Sequence, residues 1–350
     1  MQSAVDAAKA EGANYVVVMS HLGIEEECKP WTSSDLIMNT TGIDALLDGH
    51  SHSVMEAELV KNKDGKDVLM AACGTKLSHI GYLKITPEGK MTTGLYEYSD
   101  AMATELKNAT AELNEKLKQV VARTEVDLIA LDPETGAKII RNTETNLGHL
   151  VADAYRAQTG ADIALVNGGG IRTNIPAGDV TLGQLMDCHP FGNSLCMKEV
   201  TGQDILDVLE WGAREVPGLA GGFQHVSGLS YEVHTYLPNT CTKDDKNNFT
   251  GVAGEYRVKN VMVNGEPLDL ARTYTVASHN YLLKDGGDGA GMFVDDPLLL
   301  DEIKLDYQVL IDHIVDTLGG VVGQEYAEIY PVERIIIVTE AGENVTQPAA

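Results

Sequence analysis

A mixed α/β chain built in two parts is predicted by three observations. Short strand-like runs separated by turn signals fill residues 15–98, apolar residues recur at helical spacing over 104–122, and helix and strand patterns alternate over 123–338. At 350 residues the chain is long enough for two domains, and 43% hydrophobic content is ordinary for globular protein. The resulting boundaries are a first domain over 1–103, a linker helix over 104–122, a second domain over 123–338 and a polar tail over 339–350.

Residues 1–12 read as a helix end, with Ala4, Val5 and Ala8 on one side. Strands are expected at 15–19, 43–48, 68–73, 80–86 and 92–98, punctuated by Lys63-Asp64-Gly65 and Pro87-Glu88-Gly89. Five short strands with one short helix make a sheet-rich half-domain, open where a preceding half would pack. Residues 1–100 are then expected to be either disordered or buried against a neighbouring chain, with a dimer through the exposed half-domain open. Leu106, Ala109, Leu113, Leu117, Val120 and Val121 give the linker helix its apolar stripe, with Glu112 and Lys116 as an i,i+4 pair. A surface helix of a single domain is the alternative. Further on, Asn146 is a candidate cap for a helix carrying Leu147, Leu150, Val151 and Ala154, and 161–166 reads as a buried strand. Thr201-Gly202-Gln203-Asp204 has the form of a capping box, and Asn264-Gly265 is a strong hairpin signal.

Composition narrows the function. There are 52 acidic against 26 basic residues, a formal charge of -26. That field repels nucleic-acid polymers and anionic membranes, and a small anionic ligand would need a local cationic pocket. No apolar run approaches the roughly 20 residues of a membrane span. The first residues, from Met1 to Asp6, lack the basic and apolar regions of a signal peptide. Five Cys, at 28, 73, 188, 196 and 241, form no C-x-x-C. Cys188 and Cys196 read as core thiols, with a disulfide between them the minor alternative.

Three histidines have metal-ligand character. His21 follows the apolar run from Tyr15 to Met19, and His50 and His52 follow Ile43, Leu46 and Leu47 in D-G-H-S-H. Side chains just past the ends of two buried strands can converge, and neutral imidazole suits zinc, manganese or iron. A hydrolytic centre also wants carboxylates and an open position for water, and no D-x-H or G-N-H-[DE] precedes His21.

Four loop motifs make a second constellation. Asn167-Gly168-Gly169-Gly170-Ile171-Arg172 follows the strand at 161–166, and three consecutive glycines are worth their entropy only where backbone passes close to something. It is neither a dinucleotide fingerprint nor a Walker loop. His189-Pro190-Phe191-Gly192-Asn193 comes next, then Gly221-Gly222-Phe223 with Ser227-Gly228. The last runs from Tyr281 through Gly286-Gly287-Asp288-Gly289. Aromatics on two Gly-rich loops can stack a planar base, an aspartate can bind ribose hydroxyls, and Arg172 with Arg141 can supply the missing cationic pocket. Taken alone, Phe191 reads as a core residue.

In this order the motifs resemble those of the 5'-nucleotidase family of bimetallic phosphoesterases, which includes UDP-sugar hydrolases and 2',3'-cyclic nucleotide phosphodiesterases. The resemblance runs from about residue 13 to 338. It implies the second half of a metallophosphatase sheet sandwich over 1–103, the linking helix, and a mixed α/β substrate-specificity domain over 123–338. His21, His50 and His52 are similar to the last three ligands of a centre holding two divalent ions such as zinc or manganese. Arg141 is similar to the arginine that meets substrate phosphate or carboxylate groups. Asn167 and Arg172 match the ends of N-G-G-G-I-R, Phe191 the first base-stacking aromatic, Asn193 a base-contacting position and Asp288 the ribose-binding aspartate, while Gly228 falls in the third loop. The second stacking aromatic of the family lies six residues before that aspartate, where this chain has Leu282; Tyr281 can take its place if the loop holds one extra residue. The resemblance implies hydrolysis of nucleotide phosphoesters by a metal-activated water, with an extracytoplasmic location. The front motifs of the catalytic domain are absent, so no catalytic set is complete, and the chain is expected to bind a nucleoside or nucleotide better than it hydrolyses one.

Overall fold

The computed structural model describes residues 1–25, 28–75, 78–96, 111 and 113–340. It divides into two compact units, Met1–Ala111 and Glu112–Ala350.

In the first unit the helix Gln2–Ala10 precedes a four-stranded sheet in the order Val17–Met19, Ala45–Asp48, Asp67–Cys73, Val54–Lys61. The first three strands run parallel and Val54–Lys61 is antiparallel to its neighbour. This fourth strand was not expected, because its residues are mostly exposed and carry no apolar alternation. The helix Ser33–Met38 starts at a capping box between Thr32 and Asp35. Val5, Val18, Ile37, Ile43, Leu46, Val68 and Met70 form the core. Ile80–Ile85 and Met91–Tyr96 pair as a separate antiparallel hairpin. Positions 97–98 of the last expected strand lie outside the described residues, as do 104–110 and 112 of the linker helix and 341–350 of the tail. The end of the expected helix is corrected: Val120–Thr124 is a strand, antiparallel to Gly178–Thr181 and parallel to Val321–Val322. Its β-branched Val120 and Val121 suit a pleated surface better than a helix.

The second unit is built on a five-stranded sheet in the order Gln224–Ser227, Ile163–Asn167, Thr273–His279, Leu195–Thr201, Leu298–Leu300. Ile163–Asn167 is buried at every position, and its side chains alternate between two cores. Ile163 and Leu165 pack with Ile205, Val208, Leu209 and Trp211 of the helix Gly202–Ala213. Ala164 and Val166 pack with Leu147, Leu150, Val151 and Tyr155 of the helix Asn146–Thr159. Covering both faces explains why this strand reads as a continuous apolar run. A second sheet joins Glu266–Pro267, Val258–Val263, Leu229–His234 and Ile335–Val338. Its hairpin turns at Asn264 and Gly265, both at positive φ, as an Asn-Gly turn demands.

One local expectation needs correction. The helix Asn146–Thr159 is capped by Thr145, whose hydroxyl accepts from Gly148 N at 3.1 Å. The Asn146 amide instead joins three segments, accepting from Ile129 N at 2.9 Å and donating to the Asp127 and Tyr326 carbonyls at 2.8 Å each. All five cysteines are free thiols, so Cys188 and Cys196 are not paired, and both are buried. The capping box at Thr201 and Asp204 forms.

Candidate functional site

In the first unit, Asp48 ends its strand and ties two histidine loops together. Its carboxylate accepts from Ser20 Oγ at 2.8 Å, Leu22 N at 3.1 Å and Gly23 N at 3.4 Å. Burial raises its pKa, but hydrogen bonds from Ser33, Ser20 and the Leu22 and Gly49 amides outweigh that and hold it below the usual carboxylate range. His21 and His50 meet edge to face with ring centroids 5.3 Å apart. Gly49 and Gly23 leave the room: a Cβ at Gly49 would lie 2.8 Å from His21 Nδ1, and one at Gly23 3.0 Å from His50 Cδ2. His50 (φ 75°) and His52 (φ 55°) both sit in the left-handed region, a strain of about 1–3 kcal/mol each that is common where side chains are aimed for a purpose. Yet among the described residues no group of three His, Cys, Asp or Glu is placed to hold a metal ion. Of the three expected ligands, His21 and His50 are brought into ring contact.

In the second unit, Asn167 and His279 end two adjacent parallel strands, the edge of an α/β sheet where ligands ordinarily bind. Each glycine after Asn167 has its own reason. A Cβ on Gly168 would run into the Ile140 carbonyl oxygen, beside Arg141. One on Gly169 would come within 3.1 Å of Gly221, whose carbonyl accepts from Gly169 N at 2.8 Å. One on Gly170 would sit 2.9 Å from Asn167 Oδ1. The triplet is therefore a packing requirement on three sides.

Asp288 arrives at the same place from 121 residues away. Asn167 Nδ2 donates to Asp288 Oδ2 at 2.7 Å, and Tyr281 Oη lies 3.2 Å from Oδ1 and accepts from Asp288 N at 3.0 Å. Trp211 Nε1 donates to the Asp288 carbonyl at 2.7 Å. Asp288 has φ 56° and ψ 17°, a left-handed conformation these bonds hold. Gly221 and Gly222 form its wall: a Cβ on Gly222 would be 3.2 Å from Asp288 Cβ. Burial and the Asp288 carboxylate push the Tyr281 hydroxyl up to about 12, so it remains a donor.

Phe191 is 59% exposed, which overturns its reading as a core residue. The Arg172 guanidinium lies 5.6 Å from the centre of its ring, and Arg172 Nη1 reaches the Gly169 carbonyl at 3.4 Å. The Phe191 loop is clipped to the Tyr281 helix: Ser194 N donates to Asn280 Oδ1 at 2.9 Å, and Asn280 N donates back to Ser194 O at 2.8 Å. Asn193 is fixed by its carbonyl, which accepts from Asp306 N at 2.9 Å. Arg141 is held beside the glycine loop by its carbonyl, which accepts from Ala220 N at 3.0 Å. Leu282, at the family position for the second aromatic, is fully buried, whereas Tyr281 is 38% exposed.

Gly228 does not join the group. Gln224 pairs with Asn167 and Ser227 with Ala164, so Gly228 lies past the opposite end of the strand pair. It has φ 73°, and a Cβ there would strike the Asp162 carbonyl oxygen. It is a turn residue between two strands. Phe223 is likewise core, fully buried. The members of this hydrogen-bonded group not foreseen are His279, 2.8 Å from Asn167 Oδ1, and Trp211. Trp211 gives no signal beyond a helical apolar spacing.

The family model described as "5'-nucleotidase, C-terminal domain" matches residues 120–295. Over 329 residues the chain is 29% identical to a protein named trifunctional nucleotide phosphoesterase protein YfkN from Bacillus subtilis, covering 87% of this chain and 20% of that one. It is 30% identical over 175 residues to protein UshA of Escherichia coli, covering 50% of this chain and 28% of that protein. In structure it is similar to a 5'-nucleotidase precursor from Thermus thermophilus, with TM-score 0.64 and 30% identity over 96% of this chain and 66% of that one. The chain thus spans between a fifth and under a third of the two curated relatives.

Proposed function

The chain belongs to the 5'-nucleotidase family through its C-terminal domain, and from that premise we propose that it is the nucleotide-recognising part of a hydrolase of nucleotide phosphoesters. The observation that carries the proposal is the convergence of Asn167, Asp288 and Tyr281 in one hydrogen-bonded group at the sheet edge, with the glycine loop leading from it to Arg172 and exposed Phe191. In this reading Phe191 and Tyr281 flank the base, Asn193 contacts its edge and Asp288 accepts from ribose hydroxyls. Arg141 and Arg172 meet phosphate oxygens, supplying local positive charge in a chain of net charge -26.

Hydrolysis is a separate matter from recognition. Among the described residues the first unit pairs two imidazoles, and nucleotide binding is the role we assign to this chain. A second reading is a nucleoside-binding module without activity of its own. A 2',3'-cyclic phosphodiesterase or UDP-sugar hydrolase specificity would use the same base and ribose contacts. The same reading places the protein outside the cytoplasm; no helix among the described residues is long and apolar enough to cross a membrane. It also leaves a dimer through the first unit open, where Met19, Val54 and Leu59 are exposed.

Calorimetry of the full chain with adenosine and AMP, run beside a phosphate-release assay, tests the proposal. Saturable binding with no release is expected. Absence of binding to both ligands overturns the recognition role, and metal-dependent turnover overturns the restriction of this chain to binding.

A further inference from the structure

We propose that His279 is the positioning residue for the Asp288 carboxylate, acting through the Asn167 side-chain amide. The biological consequence, ribose recognition, rests on the reading of Asp288 given above; the geometry does not.

The direction of every bond follows from one backbone group. Leu282 N can only donate, and it lies 3.2 Å from His279 Nδ1, so Nδ1 is an acceptor and carries no proton. His279 is 1% exposed, and burial brings its pKa down to about 4, so the ring is neutral and has one N–H. That proton is therefore on Nε2, which is 2.8 Å from Asn167 Oδ1. With its oxygen committed as acceptor, the Asn167 amide must turn Nδ2 outward, and Nδ2 donates to Asp288 Oδ2 at 2.7 Å. Reversed, the amide would set an oxygen against the carboxylate and leave the imidazole N–H facing an NH2 group. A buried mismatch of that kind costs more than the bond it replaces.

The second oxygen is directed in the same way. Asp288 N donates to Tyr281 Oη, so the Tyr281 hydroxyl points its own proton at Asp288 Oδ1. Asp288 is thus held by one donor on each oxygen, and a carboxylate with about four lone-pair sites keeps two for a ligand diol. Gly170 completes the device, since a side chain there would press on Asn167 Oδ1 and approach His279 Nε2 at 3.7 Å.

His279 does two jobs that two substitutions separate. Its Nδ1 caps the short helix Asn280–Leu283, and its Nε2 orients Asn167. His279→Asn can keep an acceptor for Leu282 N but lacks the reach to Asn167. His279→Gln can put an amide N–H near the Nε2 position but gives up the cap. In the full chain, His279→Asn is expected to lower Tm, because it leaves Asn167 Oδ1 without its buried donor, and to lose on the order of ten- to a hundredfold in adenosine affinity, the range for one charged hydrogen bond. Adenine, which lacks ribose, should bind both proteins alike. His279→Gln should recover most of the adenosine affinity with a lower Tm. Affinity that tracks Tm through both variants, or an equal loss for adenine, overturns the proposal. Should the unsubstituted protein not bind adenosine at all, the reading of the site fails, and nitrogen NMR of the ligand-free chain still decides the relay. A bare Nδ1 on His279, with Asn167 amide proton shifts that collapse in His279→Asn, supports it; an Nδ1–H tautomer or unchanged Asn167 signals refutes it.

Discussion

Phe191→Ala separates a ligand-stacking ring from a core ring. A phenylalanine packed in a core costs about 3–5 kcal/mol when cut to alanine. Phe191 is 59% exposed, and the contact found on its face is the Arg172 guanidinium at 5.6 Å. A cation–π contact at an exposed site is worth about 0.5–1 kcal/mol. For a unit of this size that corresponds to a Tm change of no more than about 4 °C, against roughly 6 °C or more for loss of a core ring. The ligand tells the opposite story. A base stacked on an aromatic ring contributes about 1–3 kcal/mol, so adenosine or AMP should bind roughly 5- to 150-fold more weakly to the variant. Differential scanning calorimetry and titration calorimetry on the same preparations give both numbers. A double-mutant cycle with Arg172→Ala adds a control: the coupling without ligand should stay within about 1 kcal/mol. Unchanged affinity, or a core-sized loss of stability, refutes the assignment of Phe191 to the ligand.

Four further outcomes are expected. Asp288→Gly relieves a left-handed φ of 56° and removes the carboxylate, so stability measured by urea unfolding should stay within about 1 kcal/mol while adenosine binding is lost. Gly148→Ala drives a Cβ into the buried His225 ring and should cost several kcal/mol or prevent folding, visible as loss of soluble protein or a collapsed Tm. His225, fully buried with Nε2 at 2.8 Å from the Ile140 carbonyl, is lowered to about 4 by burial. Because the unfolded chain binds its proton below about 6.5 and the folded chain only below about 4, stability falls as pH drops between those values; His225→Gln should flatten the decline by up to about 3 kcal/mol at pH 4. Asp306 and Asp296, both raised to about 6 by burial, act in the opposite direction, so the comparison is between variant and parent rather than the parent slope alone. Finally, elemental analysis of the purified chain should find less than one zinc or manganese per molecule, and a stoichiometric pair would show that the His21–His50 pair recruits ligands not grouped with it here.

How much of this was legible from sequence depended on whether the signal was local. The strands Ile163–Asn167 and Ala45–Asp48 announce themselves because burial makes them apolar at consecutive positions. The Thr201 capping box and the Asn264-Gly265 turn are written in side-chain chemistry a few residues long. Val54–Lys61 escaped because an edge strand with exposed side chains needs no pattern. Val120–Thr124 escaped because valines at i and i+1 extend a helical stripe as readily as they fill a strand. The site divides along the same line. The glycine triplet and Asp288 stand out because close backbone approach and a Gly-flanked carboxylate are unusual locally, whereas Phe191 alone reads as core and gains meaning only from the order of the loops around it.

His279 has no such mark. A histidine at the end of an apolar strand is an ordinary buried residue until its neighbours are known, and those neighbours are Asn167, 112 positions away, and Leu282, three positions on. Only the second is within reach of a sequence pattern, and it suggests a helix cap and nothing more. The role follows from joining the two: a backbone N–H fixes the imidazole tautomer, the tautomer fixes an amide, and the amide fixes a carboxylate. Each link is forced by donor and acceptor count, so the orientation of Asp288 is set before any ligand arrives. A site whose acceptor is already aimed spends less of its binding free energy on ordering, which is the advantage the His279→Asn variant should forfeit.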